Sequence, residues 1–105
     1  SIMLICEANY SNAHGTPWVY KHKNLGKLVG APVPGTMTSV NWIDLQDPSM
    51  LFGVPVVGMQ IADGSFLENQ QLEPDILVLN DPATVVTGTD RQIEAAVTAL
   101  LNQLK

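Results

Sequence analysis

Blocks of apolar and polar residues along this chain predict a series of strands. Ile2 to Cys6 are five apolar residues in a row, a pattern typical of a strand covered on both faces, as in a parallel sheet. Lys27 to Val33 and Ile76 to Leu79 predict two more strands. Met37 to Leu45 alternates apolar and polar residues, which predicts a half-exposed strand.

A hairpin and two helices complete the pattern. Asp63-Gly64 is a strong turn signal, and it predicts a hairpin between residues 54–62 and 65–67. Thr16-Pro17 supplies an N-cap and a proline at the first helical position, so a short helix should run to about Asn24. The order of strand, helix, several strands and helix predicts an α/β layer architecture.

The C-terminal segment predicts the second helix. Thr89 and Gln92 form a capping box, which indicates where this helix begins. Its apolar residues fall on one stripe at helical spacing. They are Ile93, Ala96, Val97, Leu100, Leu101 and Leu104.

Charge and composition narrow the classes of partner. The net charge of -5 argues against nucleic acid, because no basic patch could meet phosphates. The one basic cluster, Lys21 to Lys23 with Lys27, is interpreted as a solvated helix face. Only 14% of the residues are charged, against a usual ~25%. We therefore expect the rest of a longer chain, or other copies in a homo-oligomer, to cover part of the surface.

Other classes of site have little support in the sequence. No apolar run approaches the ~18 residues of a membrane span, so we expect no membrane partner. One cysteine, Cys6, and two histidines, His14 and His22, give no cluster of metal ligands, and no glycine-rich nucleotide motif follows a strand. We expect no metal and no cofactor. The chain opens directly with a buried-type strand, so we expect it to be part of a longer protein, and its localisation stays open.

Ser11 is the first candidate for chemistry. It follows the first strand and precedes a helix, so its hydroxyl can lie at the exposed end of the sheet. Backbone N–H groups at such a turn point outward and can hold a developing oxyanion. The alternative is that Ser11 and Asn12 are only cap and turn residues.

Histidines and aromatic residues leave further alternatives open. His14 lies three residues from Ser11 and could touch it if a helical turn forms there. Trp18, Tyr20 and Trp42 could form an apolar wall beside a substrate, or could serve core or interface packing.

Several segments, in order, resemble one family of serine peptidases. Tyr10-Ser11-Asn12-Ala13, the strand Leu25 to Gly30 and Pro34-Gly35-Thr36 resemble the tricorn core protease and the related C-terminal processing peptidases. Glu68-Asn69-x-x-Leu72-Glu73-Pro74-Asp75 resembles the family's E-N-x-G-V-x-P-D segment. Gly88-x-Asp90-x-Gln92 resembles the G-x-D-x-Q start of its last helix.

The resemblance implies a fold, an activity and site residues. The fold would be a ClpP/crotonase-like layered sheet with flanking helices, with residues 1–105 as the C-terminal part of the catalytic domain. Ser11 would be the nucleophile of a serine-type endopeptidase that cleaves peptide or protein substrates. The Asn12 N–H would be an oxyanion donor, Gly35 would belong to the oxyanion and substrate-binding site, and Glu68 would be the acidic catalytic member.

This chain departs from the family pattern at three positions. Asn12 replaces a usual acidic residue, Gln71 replaces a glycine, and Pro17 argues against one uninterrupted helix from Ser11. The family's general base, a histidine or a lysine, comes from a preceding part of the domain. The alternative to an enzyme is therefore a non-catalytic peptide-binding or structural domain that retains the peptidase fold.

Overall fold

The computed structural model describes residues 1–104 and confirms the predicted α/β class. Strands β1, β2 and β5 form a parallel sheet with β2 in the centre, while β3 and β4 form a separate antiparallel ribbon. The elements in chain order are β1 (Ile2–Ile5), α1 (Asn12–His22), β2 (Lys27–Gly30), β3 (Ser39–Asp44), β4 (Leu51–Val57), β5 (Ile76–Leu77), α2 (Pro82–Val85) and α3 (Arg91–Asn102).

The parallel sheet is shorter and less covered than the sequence predicts. β2 ends at Gly30, where φ is +136° and a Cβ atom would collide with the Ile5 carbonyl oxygen, so the chain turns there on glycine. Val33, which the sequence places in the same strand, instead forms an isolated antiparallel bridge with Leu72. The first strand is only partly covered, because Leu4 is 44% exposed.

The predicted hairpin at Asp63-Gly64 forms only close to its turn. Gln60 and Phe66 form an antiparallel bridge there, flanked by two backbone hydrogen bonds between residues 59–61 and 65–67. β4 pairs with β3 along its length, from Ser39 opposite Val57 to Asp44 opposite Leu51. β3 offers β4 a long ladder, whereas the predicted partner, residues 65–67, is only a short segment.

Helix α1 corrects the predicted start at Thr16. It begins at Asn12 and runs through Pro17. Proline has no N–H and leaves the Ala13 carbonyl without its usual intrahelical donor. The side chain of Asn9 fills that role, because its Nδ2 donates to the Ala13 oxygen over 2.7 Å. A residue outside the helix therefore allows the helix to continue past proline.

The predicted capping box of α3 is also wrong. Asp90 is the N-cap, and its Oδ1 accepts from the N–H groups of Gln92 and Ile93 at 3.0 and 3.1 Å. The Gln92 amide does not reach back to Thr89 but donates to the Val78 carbonyl over 2.9 Å. A carboxylate at this position also complements the positive end of the helix dipole.

The core lies between the parallel sheet and the two long helices. Ile5, Leu28, Val33 and Leu72 form its buried cluster, and Met3, Trp18 and Tyr20 pack against that cluster. α3 packs on β1 and β2 and buries Ala96, while the rest of its apolar stripe stays largely exposed. Trp42, in contrast, lies on β3 with 66% of its surface exposed. Two of the three aromatic candidates thus serve packing.

His14 is the one buried polar residue of the described chain. Its side chain is 0% exposed, and within residues 1–104 neither ring nitrogen has a hydrogen-bond partner. Desolvation by burial lowers the pKa of His14 below its ordinary 6.5, although the charge of Glu68 opposes that shift. The folded chain therefore favours neutral His14.

We expect acidification to destabilise the protein through His14. Between the lowered folded pKa and the unfolded value near 6.5, the unfolded chain binds more protons, so the free energy of unfolding falls as pH drops below about 6.5. His14→Leu should flatten this dependence in urea unfolding between pH 7.5 and 5. The exposed His22→Gln variant should keep it. Equal slopes for His14→Leu and wild type would contradict the assignment.

The corrected cap gives a second prediction. Asp90→Ala removes the acceptor of two N–H groups at the start of α3 and should lower the melting temperature. Thr89→Ala should leave it nearly unchanged, because Thr89 does not cap the helix. Thermal unfolding followed by circular dichroism measures both. A larger loss in Thr89→Ala would restore the capping box.

Candidate active site

Ser11 lies at the turn into α1 in a strained backbone conformation. Its φ and ψ are 53° and -117°, a region that L residues rarely adopt and that costs about 1–3 kcal/mol. The Ser11 N–H donates to the Thr36 carbonyl over 3.1 Å, while the Ser11 carbonyl accepts from His14 and Gly15. These bonds hold the strained residue in place between the loop after β1 and the helix.

The Ser11 hydroxyl does not act as a helix cap. Serine at this position usually accepts a hydrogen bond from an N–H of the first turn. Ser11 occupies the N-cap position of α1 without any side-chain cap hydrogen bond. The strained turn thus presents a hydroxyl that helix capping does not use.

Backbone donors adjoin this hydroxyl. The first N–H groups of a helix have no intrahelical acceptor and lie at the positive end of its dipole. The N–H of Asn12, the first residue of α1, donates to no acceptor within residues 1–104, and the same holds for the N–H of Gly35. The Asn12 N–H is therefore available to an oxygen that carries negative charge.

Gly35 lies where two backbone segments cross. A Cβ atom at this position would collide with the backbone of Asn69 and Gln70, so only glycine fits. The Gly35 carbonyl accepts from the Asn69 N–H. Asn69 itself has a φ of 62°, which turns the chain immediately after Glu68.

The Glu68 carboxylate is held by backbone N–H groups. Its Oε2 accepts from the N–H groups of Met37 and Thr38, each over 2.6 Å. The Met37 hydrogen bond is the largest cause that lowers the pKa of Glu68, and the hydrogen bonds from Thr38 add to it. Glu68 is therefore an ionised, oriented carboxylate at neutral pH.

Residues Gly35–Thr38, which we term the crossing segment, connect Ser11 with Glu68. The Thr36 carbonyl holds the Ser11 backbone, and the next two N–H groups hold the Glu68 carboxylate. Ser11 and Glu68 thus share one short support although they are far apart in sequence. Within residues 1–104 no hydrogen bond joins their side chains directly.

His14 does not hydrogen-bond to Ser11. It lies one helical turn further along α1, but both of its ring nitrogens lack partners in the described part of the chain. The possibility that His14 touches the serine hydroxyl as its base therefore has no support in this geometry. The His14 ring is linked to the proposed site by the negative charge of Glu68, which partly offsets the lowering of the His14 pKa by burial.

Asp75, in the second half of the Glu68 motif, has a structural contact. Its Oδ2 accepts from the Leu28 N–H over 2.7 Å, and its Oδ1 lies 3.2 Å from the Lys21 Nζ. Lys21 also donates to the Glu73 carbonyl over 2.7 Å. The interpretation of Lys21 as part of a solvated face is therefore wrong, because this side chain ties α1 to the segment that leads into β5.

Sequence reasoning missed Asn9, Met37 and Thr38 as supports of the site. Met37 and Thr38 act through backbone N–H groups, which every residue except proline possesses, so the sequence carries no signal for them. Among residues 1–104, no group of three or more histidine, cysteine, aspartate or glutamate side chains could hold a metal ion. No helix in that range has the length and apolarity needed to cross a bilayer.

Comparisons with known proteins identify the family of this chain. It is similar to a solved structure described as the crystal structure of the tricorn protease, with a TM-score of 0.85 and 25% sequence identity. That match covers 98% of this chain and 10% of the tricorn chain, so the chain spans about a tenth of that protein. No curated protein matches the chain. The model of peptidase family S41 matches residues 1–78, which confirms the predicted resemblance, and the chain belongs to this family of serine peptidases.

Proposed function

We propose that this chain forms part of the catalytic domain of a serine-type endopeptidase, with Ser11 as its nucleophile. The observation that carries the proposal is the strained turn at Ser11. Its hydroxyl does not cap the helix, and the next N–H, that of Asn12, has no acceptor within residues 1–104. Backbone strain of this kind persists where the surrounding structure enforces it, and it clusters at active sites. Membership of family S41 gives that strain a chemical reason.

Acyl transfer assigns a role to each group. The Ser11 Oγ attacks the substrate carbonyl carbon, and the π electrons move to the carbonyl oxygen. The N–H groups of Asn12 and Gly35 donate hydrogen bonds to this negatively charged oxygen. Collapse of this intermediate breaks the C–N bond. The amine leaves with a proton from the general base, and water then hydrolyses the Ser11 ester.

Glu68 acts through the general base. Its ionised carboxylate, fixed by the crossing segment, stabilises the cation that forms when the base takes the Ser11 proton. The base itself, a histidine or a lysine, comes in this proposal from a part of the domain outside residues 1–105. The parallel sheet and helices described above would then be the C-terminal part of a ClpP/crotonase-like layered domain.

Exposed apolar side chains support the proposed partners. Trp42, Leu51 and Phe52 on the β3–β4 ribbon, and Leu77 on β5, are each more than half exposed. Surface of this kind usually marks an interaction site. In this proposal the rest of the parent chain, and further copies in a homo-oligomer, cover these side chains. The substrate is a peptide or a protein.

A fluorophosphonate probe tests the nucleophile in the full-length parent protein. The probe should label the wild type and fail to label Ser11→Ala, because labelling requires an activated serine oxygen. Ser49→Ala, at an exposed serine of the β3–β4 loop, should label like the wild type. A folded wild type without labelling would instead support the non-catalytic peptide-binding domain.

Replacement of the carboxylate tests Glu68. Glu68→Gln keeps the size and an oxygen acceptor for the two N–H groups but removes the charge, so kcat should fall by roughly 10²–10⁴. The melting temperature should also fall by a few degrees, because the two hydrogen bonds lose their charged acceptor. Glu73→Gln, an exposed neighbour in the same motif, should retain wild-type kcat. An unchanged kcat in Glu68→Gln would remove Glu68 from the catalytic set.

A further inference from the structure

Three adjoining cavities surround the start of α1, and Asn12 lines all of them. Their volumes are about 390, 370 and 300 Å³. The largest follows one face of α1 from Asn12 to Val19 and is bounded on the other side by Met37 and Met59. It therefore begins at the residue that follows the proposed nucleophile.

The largest cavity is apolar and carries no charged side chain on its lining. Met3, Val19 and Leu25 contribute aliphatic surface, and Met37 and Met59 add two further thioethers. At about 390 Å³ it lies near the small end of the range of ~300–1,000 Å³ for ligand sites. That size suits one side chain of a substrate with its adjoining backbone.

Met37 connects this cavity to the proposed catalytic carboxylate. Its N–H holds Glu68, while its side chain lines the cavity. A Cβ atom at Gly15 would lie 3.0 Å from the Met37 Cε and 3.1 Å from its Sδ, so the Met37 side chain packs on the bare backbone of α1. Met37 therefore both lines the cavity and holds the Glu68 carboxylate.

We propose that this cavity is the specificity pocket for the substrate residue whose carbonyl Ser11 attacks, and that it takes a long apolar side chain. This inference rests on the proposed function. The Asn12 N–H that would hold the carbonyl oxygen belongs to a residue that lines the cavity. A side chain next to a carbonyl held there would therefore lie close to the cavity. Leucine, methionine and phenylalanine fit, because flexible methionine walls adapt to different apolar shapes. Lysine, arginine, aspartate and glutamate would enter a site without any opposite charge.

Cleavage of a peptide library by the full-length parent protein tests the pocket. The library varies only the residue on the acyl side of the cut bond, and each kcat/KM is measured. We expect leucine, methionine and phenylalanine to exceed lysine and aspartate by about 100-fold or more. Val19→Asp should lower the leucine value by about 10–200-fold and raise the lysine value relative to it.

Val86→Asp is the matched control, because Val86 lies after α2 and lines none of the three cavities. Val19→Thr, a substitution of equal shape, provides a milder test if Val19→Asp does not fold, and it should lower the leucine preference alone. Probe labelling of Ser11 separates the two proposals. Labelled wild type with a preference for charged residues, or folded Val19 variants with an unchanged preference, would overturn the pocket alone. A folded wild type without labelling would overturn the proposed function and the pocket with it.

Discussion

Two backbone N–H groups on one carboxylate oxygen organise this structure. Met37 and Thr38 both donate to Glu68 Oε2, across sequence separations of 31 and 30 residues. Hydrogen bonds to a charged acceptor are short and contribute about 1.5–3 kcal/mol each. Together with the hydrogen bond from the Asn69 N–H to the Gly35 carbonyl, they fix the path of the crossing segment between the parallel sheet and the β3–β4 ribbon. The Ser11 contact with Thr36 depends on that path.

Hydrogen bonds on both sides of Ser11 offset the free-energy cost of its strained backbone. The left-handed backbone at Ser11 costs about 1–3 kcal/mol, and bonds on both sides offset it. Asn9 contributes twice, because its Oδ1 accepts from the Cys6 N–H over 2.9 Å while its Nδ2 satisfies the Ala13 carbonyl. The loop before the serine and the helix after it are thereby fixed to each other. A proline inside α1 is thus compatible with a rigid turn at its start.

Local sequence patterns predicted the elements better than their ends and partners. The parallel strands and α3 follow from apolar runs and helical spacing, which depend on neighbouring residues only. Local propensity misplaced the start of α1, because the donor that replaces the Pro17 N–H comes from a residue outside the helix. The partner of β4 is likewise a matter of tertiary pairing.

The sequence likewise indicated some residues of the proposed site and not others. Ser11 and Glu68 carry side-chain chemistry that a family motif records, so the resemblance implied both. Met37 and Thr38 enter only through their main chain, and the fold alone brings them to the carboxylate. The buried ring of His14, which lacks a hydrogen-bond partner within residues 1–104, had no signal in its sequence neighbourhood either.

In Asn12 and Met37, the main chain and the rest of the residue have different proposed roles. Each offers a main-chain N–H to the proposed chemistry, and each lines the adjoining cavity. Substitution at either position replaces the side chain and leaves the N–H in place, provided that the new residue is not proline. Selection can therefore alter which substrates such an enzyme accepts without first dismantling its catalytic apparatus.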